Sequence, residues 1–291
     1  MNNLFFLPTA ARGWVGYLVL LGVLLGPVSG RAQQMLGWEV GPWAGAALYL
    51  GDLNTDFSFR RIQPAGGLSA RYNFNDRLSA KISANYGRLL AMDSDSNNPF
   101  EKTRNLSFQS DVFDGTAQFE FNFLPYIHGD FERWMTPYAF AGISVFNYNP
   151  MARAADGELY ELRALGTEGQ LKGEEYLPTS GALTYGLGFK LDLSYEWSLD
   201  FHIGARNTFT DYLDDVSTVY ADQSDLRRSR GDIAVELADR SIFSDGSPNR
   251  DREGEQRGDS TGKDKYIFMG VGLHYYFGDI RCPTYGGRKR R

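Results

Sequence analysis

Residues 183–208 read LTYGLGFKLDLSYEWSLDFHIGARNT, and this stretch constrains the fold more than any other. Leu183, Tyr185, Leu187, Phe189, Leu191, Leu193 and Tyr195 occupy one parity. Thr184, Gly186, Gly188, Lys190, Asp192 and Ser194 occupy the other. Strict period-2 alternation of this length belongs to an extended strand with one apolar face. After Glu196-Trp197 the pattern resumes, with Leu199, Phe201, Ile203 and Ala205 opposite Asp200, His202, Gly204 and Arg206. The pair predicts a long hairpin with a very tight turn.

The same signal recurs along the chain. Leu68, Ala70, Tyr72 and Phe74 share a face. After the turn at 75–77, Leu78, Ala80, Ile82, Ala84 and Tyr86 share another. Further on come Ala117, Phe119, Phe121 and Phe123, and later Ile267, Met269, Val271, Leu273, Tyr275 and Phe277. Residues 38–50 are a weaker, Gly/Ala-rich strand, and residues 137–148 are apolar on both faces, which leaves their outer side unassigned. About eight strands result. Their connections alternate between short (75–77, 195–197, and a medium 124–136) and long (51–63, 92–105, 149–180 and 212–264).

Strands of ~10 residues with this alternation predict a transmembrane antiparallel up-and-down β-barrel of about eight strands. Closure removes the sheet edges that lipid could not satisfy. Short turns on the periplasmic side and long loops outside would place both termini in the periplasm. The soluble alternative, a lipocalin-like barrel or a secreted sandwich, points its apolar face inward and its charges into water. Here the polar face carries few Lys and Glu but many Gly, Ser and Asn, which suits a narrow, filled lumen.

Residues 1–32 read as a cleaved signal peptide: Arg12, an apolar run broken by Gly22, Gly26 and Pro27, then Gly30 and Ala32 before Gln33. The barrel is expected over 33–280 and a basic periplasmic tail over 281–291. Without residues 1–32 the chain keeps 28 of its 30 basic residues and all 36 acidic ones, a net charge near −8 that argues against nucleic-acid binding. Cys282, the single cysteine, has no intramolecular partner, and metal-type Cys spacing is missing.

Three constellations invite a chemical reading. The lumen parity collects Glu39, Arg71, Lys81, Glu120, Lys190, Asp192, Asp200 and Arg206. An eight-stranded barrel has room only for side chains, and buried charges there must pair, so a salt-bridged plug is expected in preference to a gated pore. TDYLDDVSTVY (210–220) sets Asp211, Tyr212, Asp214 and Asp215 at the exit of a strand. Calcium is conceivable, but the spacing is not that of a D-x-D-x-D-G loop, and turn chemistry at the outer rim, with Tyr212 and Tyr220 in an interfacial aromatic belt, is the plainer expectation. The tail offers Arg281, Cys282, Arg288, Lys289, Arg290 and Arg291 as a docking strip for an acidic partner, with Cys282 able to cross-link in an oxidising compartment. Of three histidines, His202 and His274 fall on the lumen parity and His128 in a turn, and no serine stands out as a partner for a hydrolase site. Residues 245–265 are polar and turn-rich enough to predict disorder in isolation.

GPWAGAALYLGDLN, LGTEGQLKGEEY, TDYLDDVSTVY and KYIFMGVGLHYYFGD together resemble the PorG-type outer-membrane barrel of the Bacteroidetes type IX secretion system. The resemblance covers about residues 35–280. It implies a non-enzymatic component without cofactors, set among outer-membrane lipids. It also implies association with the periplasmic ring of the lipoprotein PorK and PorN, and with other components of a machinery that exports proteins with C-terminal sorting domains and in some members supports gliding motility. Asp211, Tyr212, Asp214, Asp215 and the tail are then candidate partner contacts. A small-solute channel or a receptor with ligand-binding outer loops is the alternative, and a lipid-modifying enzyme a distant third.

Overall fold

In the computed structural model, which describes residues 37–243 and 252–278, the alternating segments are strands of one closed antiparallel wall. They are β1 (Gly37–Leu50), β2 (Gln63–Asn73), β3 (Leu78–Met92), β4 (Ser107–Asn122), β5 (Met135–Arg153), β7 (Thr179–Asp192), β8 (Trp197–Thr208) and β9 (Lys265–Gly278). A three-residue strand, β6 (Leu159–Glu161), adds only to the far end of β5. Each barrel strand pairs with its neighbour in the chain, β5 pairs with β7, and β9 returns to β1 from Gly37↔Gly278 to Leu50↔Lys265. The fold is therefore a closed eight-stranded antiparallel β-barrel. Gly37 and Gly278 lie at the mouth that carries the short connections.

The wall is apolar outside and polar inside. On β4, Phe113, Phe119 and Phe121 are exposed while Thr116, Gln118, Glu120 and Asn122 are buried. Phe119 is 71% exposed and Arg71, across the wall, 0%. A water-soluble barrel inverts this arrangement; an outer face of Phe, Leu, Ile and Val is stable only against lipid. At the short-turn mouth the face ends in paired aromatic rings: Trp38–Tyr72 at 5.0 Å, Tyr72–Phe74 at 5.2 Å, Trp197–Tyr275 at 5.1 Å and Tyr275–Phe277 at 4.7 Å between centroids. Such a girdle marks a membrane–water boundary. Toward the other mouth the face turns polar at the Arg88–Asp111 pair, 2.7 Å apart. Among the described residues no helix is long and apolar enough to cross a membrane.

The segment that sequence left unassigned, 137–148, is resolved by its neighbours. Tyr138, Phe140, Phe146 and Tyr148 point inward, and Ile143 and Val145 face out. The inward rings fit because β7 presents glycine opposite them, in the pairs Tyr138↔Gly188 and Phe140↔Gly186. A Cβ at Gly188 would stand 2.4 Å from the Tyr138 ring, and one at Gly186 2.5 Å from the Phe140 ring. The glycines on the polar parity of β7 are thus seats for aromatic side chains.

Toward the long-loop mouth the lumen changes from charged to aromatic. Tyr49, Phe108, Phe146, Tyr148, Tyr266 and Phe268 pack with Leu53, Leu106, Leu162, Leu213 and Leu237 from the loops into one buried core. Among the described residues four short α-helices belong to this cap: α1 (Pro99–Arg104), α2 (Leu162–Leu165), α3 (Gln223–Arg230) and α4 (Asp232–Ala238). Within the folded chain the described part of 245–265 packs into the cap, where Arg257 is a buried side chain. Residues 1–32, expected to be a signal peptide, and 281–291, expected to be a basic tail, lie outside the described residues.

Candidate functional site

The lower lumen is organised around Arg71 on β2. Its Nη1 donates to Glu39 at 2.7 Å, its Nε to Glu120 at 2.7 Å, and its Nη2 to Asp200. The planar fork of a guanidinium, with five N–H donors, suits it to reach three carboxylates at once. Lys190 lies 2.7 Å from Glu120 and Lys81 3.0 Å from Asp200, so three acids face three bases. Tyr138 donates to Asp200 at 2.6 Å and Asn73 to Glu39 at 2.6 Å, which takes up remaining lone pairs. All six charged side chains are buried.

Two of the eight sequence-nominated residues belong elsewhere. Arg206 sits higher, 3.6 Å from Asp114, with its guanidinium over Phe268. Asp192 lies at the short-turn mouth, where Tyr126 donates to it and His128 Nδ1 stands 2.9 Å away. The second His128 nitrogen is 3.1 Å from Glu39, and the ring stacks on Tyr276 at 4.3 Å. Carboxylates close to both nitrogens favour the imidazolium, the form with two N–H groups. Burial alone would lower its pKa, but Glu39 and Asp192 outweigh burial and raise it to about 9. The connection 123–134 thereby closes the mouth from below. Sequence reasoning missed both partners. Asp114 was within reach, since it continues the polar parity of 116–122; His128 sits in a turn, where no periodicity applies.

Ser69 Oγ lies 2.7 Å from His274 Nε2, a serine partner that the sequence did not single out. Both are buried, and His274 Nδ1 has no hydrogen-bond partner, so no carboxylate orients the ring as a triad requires.

The cap redefines the residues of TDYLDDVSTVY. Asp211, Asp214 and Asp215 are buried, which removes them as an exposed contact surface. Asp211 accepts from Ser217 at 2.6 Å. The Tyr49 hydroxyl lies 2.5 Å from Asp214 and 2.8 Å from Asp264, and donates its single hydrogen to one of them. Burial, with Asp264 and Asp52 alongside, pushes the Asp214 pKa well above the usual carboxylate range. Asp215 has a left-handed φ of 69° and accepts from Tyr176 at 2.8 Å and from Thr167. Burial raises its pKa to about 6, against the lowering effect of Arg257. Tyr212 is half-buried and stacks on Tyr176 at 4.7 Å, and Tyr220 lies under the Arg252 guanidinium, so neither belongs to a lipid-facing belt.

The stretches LGTEGQ and DYLDDVS interlock. Glu168 accepts from the backbone of Ser217 at 2.9 Å and from the Thr218 hydroxyl at 2.6 Å, while Arg257 reaches Glu168 at 3.0 Å. Together they form one joint of the cap. The tail candidates Arg281, Cys282, Arg288, Lys289, Arg290 and Arg291 lie outside the described residues.

An apolar outer wall, an aromatic girdle and a charge-filled lumen define an integral outer-membrane-type β-barrel. The chain belongs to the family described as a domain of unknown function, DUF6089, whose model matches residues 17–232. No curated protein matches the chain. Among solved structures it is similar to OprG of Pseudomonas aeruginosa, at 10% identity and a TM-score of 0.42 over 85% of this chain and 99% of that one. Neisserial surface protein A is 12% identical, with a TM-score of 0.40 over 82% and 97%. Ail, the attachment invasion locus protein of Yersinia pestis, is 10% identical in its complex with a heparin analogue, with a TM-score of 0.37 over 84% and 99%.

Proposed function

We propose that this protein is a non-enzymatic outer-membrane component of the type IX protein secretion system that anchors or positions the periplasmic PorK/PorN ring, with the short-turn mouth and both termini in the periplasm. The observation that carries the reading is the closed lumen: six buried charges pair across it, and His128 seals the mouth below. A barrel without a through-path acts by its surfaces and not by conduction. The identity of the partner rests on the sequence resemblance. Affinity purification from mildly solubilised outer membranes, with mass spectrometry of the eluate, tests it. Recovery of the ring proteins supports the role, and a barrel that elutes alone counts against it.

A second reading, a small-solute channel or receptor, draws on a cleft of about 710 Å³ in the cap, bordered by Lys172, Asp222, Arg228 and Glu253. Planar-bilayer recording separates the two. The anchoring role predicts no steady conductance, and stepwise openings in the wild-type protein would favour the channel.

A further inference from the structure

We propose that the cap closes on the barrel through a shared buried proton: at neutral pH Asp214 and Asp264 hold one proton between them, joined through the Tyr49 hydroxyl, and its loss loosens the cap. The three groups come from separate parts of the chain. Tyr49 lies at the end of β1, Asp264 immediately precedes β9, and Asp214 belongs to the long loop after β8. All three are buried. The latch works in the same way whichever partner the barrel meets.

Hydrogens, counted one by one, fix the charge of the site. Tyr49 Oη stands 2.5 Å from Asp214 Oδ2 and 2.8 Å from Asp264 Oδ1. Its one hydrogen serves one contact. A carboxylate only accepts, so the second contact needs the hydrogen of a carboxylic acid. With both carboxyls ionised, two oxygens would face each other in a dry site with nothing between them, and burial makes that costly. The other oxygens are occupied, because Val216 N donates to Asp214 Oδ1 and Leu213 N to Asp264 Oδ2, each at 2.9 Å. Among the described residues neither carboxyl has an ion-pair partner. Arg104 of α1 is the guanidinium that faces the pair, and it is taken up by Asp93 at 2.7 Å and by the carbonyls of Asp52 and Arg257. Asp52, Asp211 and Tyr148 are the remaining ionisable neighbours, and the two acids add negative charge.

Burial, with these acids alongside, lifts both carboxyls well above the ordinary range. A value raised on folding gives stability that is complete below about pH 4 and is lost as pH climbs through the folded value. The contact that then parts is the one between residues 213–216 and the wall. From there the chain runs to Ser217 and Thr218, both held by Glu168, and on to Val219 and Tyr220 at the border of the cleft of about 710 Å³. Acid therefore keeps that cleft in its folded shape, and alkali frees it.

Infrared spectra of the full-length protein in detergent test the proton at about pH 8, where Asp52 and Asp215, each raised to about 6, are ionised. Wild type should show the C=O band of a neutral carboxylic acid. The band should vanish in Asp214→Asn and in Asp264→Asn, because an amide at either place donates to Tyr49 and leaves the other carboxyl ionised. A wild-type spectrum without the band overturns the proposal even if a variant fails to fold, and so does a band that survives in both variants. Limited proteolysis, normalised to an unstructured peptide, reads the cap. From about pH 6 to about pH 9, loop cleavage in wild type should rise on the order of tenfold, the factor that one pKa unit represents, while Asp214→Asn should change little. Identical pH profiles for the two proteins would show that the proton does not hold the cap.

Discussion

At the scale of single residues, Arg71 and His128 hold the lumen shut by different means. Removing Arg71 leaves Glu39, Glu120 and Asp200 buried without their shared cation. Arg71→Ala should cost about 3–5 kcal/mol, the usual penalty for breaking a buried pair. The folded band on a semi-native gel should be lost at markedly lower temperature. Arg71→Lys should recover only part of the loss, because an ammonium cannot fork. For His128 the sign is fixed by its raised pKa, about 9 against an ordinary value near 6.5. Its contribution, on the order of 3 kcal/mol, is complete below the unfolded value and disappears as pH climbs through about 9. The thermal midpoint of wild type should therefore approach that of His128→Gln as pH rises from 6.5 to 10. Parallel curves would refute the latch.

At the scale of elements, the seating of β5 rings on β7 glycines is the most exacting contact. Gly186→Val or Gly188→Val should destabilise the barrel by about 1–3 kcal/mol through overpacking. Combining Gly186→Val with Phe140→Ala should recover the part of the loss that comes from the ring but not the clash with the Ile203 carbonyl, 2.1 Å from the new Cβ, as read from urea midpoints of the reconstituted protein. These elements also mark what sequence could disclose. The faces of β7, β8 and β9 were legible because their two parities differ in polarity. Those of β5 were not, because Tyr138, Phe140, Phe146 and Tyr148 enter an aromatic upper lumen and Ile143 and Val145 face lipid. Six of the eight nominated lumen charges converge, since charge on a polar parity is a local signal. Arg257 was illegible for the opposite reason: its partner Glu168 is 89 residues away in another loop.

At the scale of the whole molecule, the barrel is a sealed wall that offers a different surface at each end. The long loops form a folded cap around the joint of Glu168, Asp215 and Arg257. Arg257→Ala should open that joint and speed proteolysis of the loops in the detergent-solubilised protein, while the barrel wall stays protected; unchanged cleavage would mean the joint is dispensable. At the other end the short-turn mouth carries the aromatic girdle.

The central ion pairs have a temporal consequence. Glu39 and Arg71 come from the first two strands and Asp200 from the seventh barrel strand, 129 positions after Arg71. While the nascent sheet is open, these charges retain hydration, and a half-built sheet resists entry into hydrocarbon. Glu39 and Glu120 meet Arg71 within the first four strands, but Asp200 and Lys190 find their partners only when late strands meet early ones. The same cluster that blocks the finished lumen therefore couples membrane entry to ring closure and disfavours a partly assembled wall as a long-lived species.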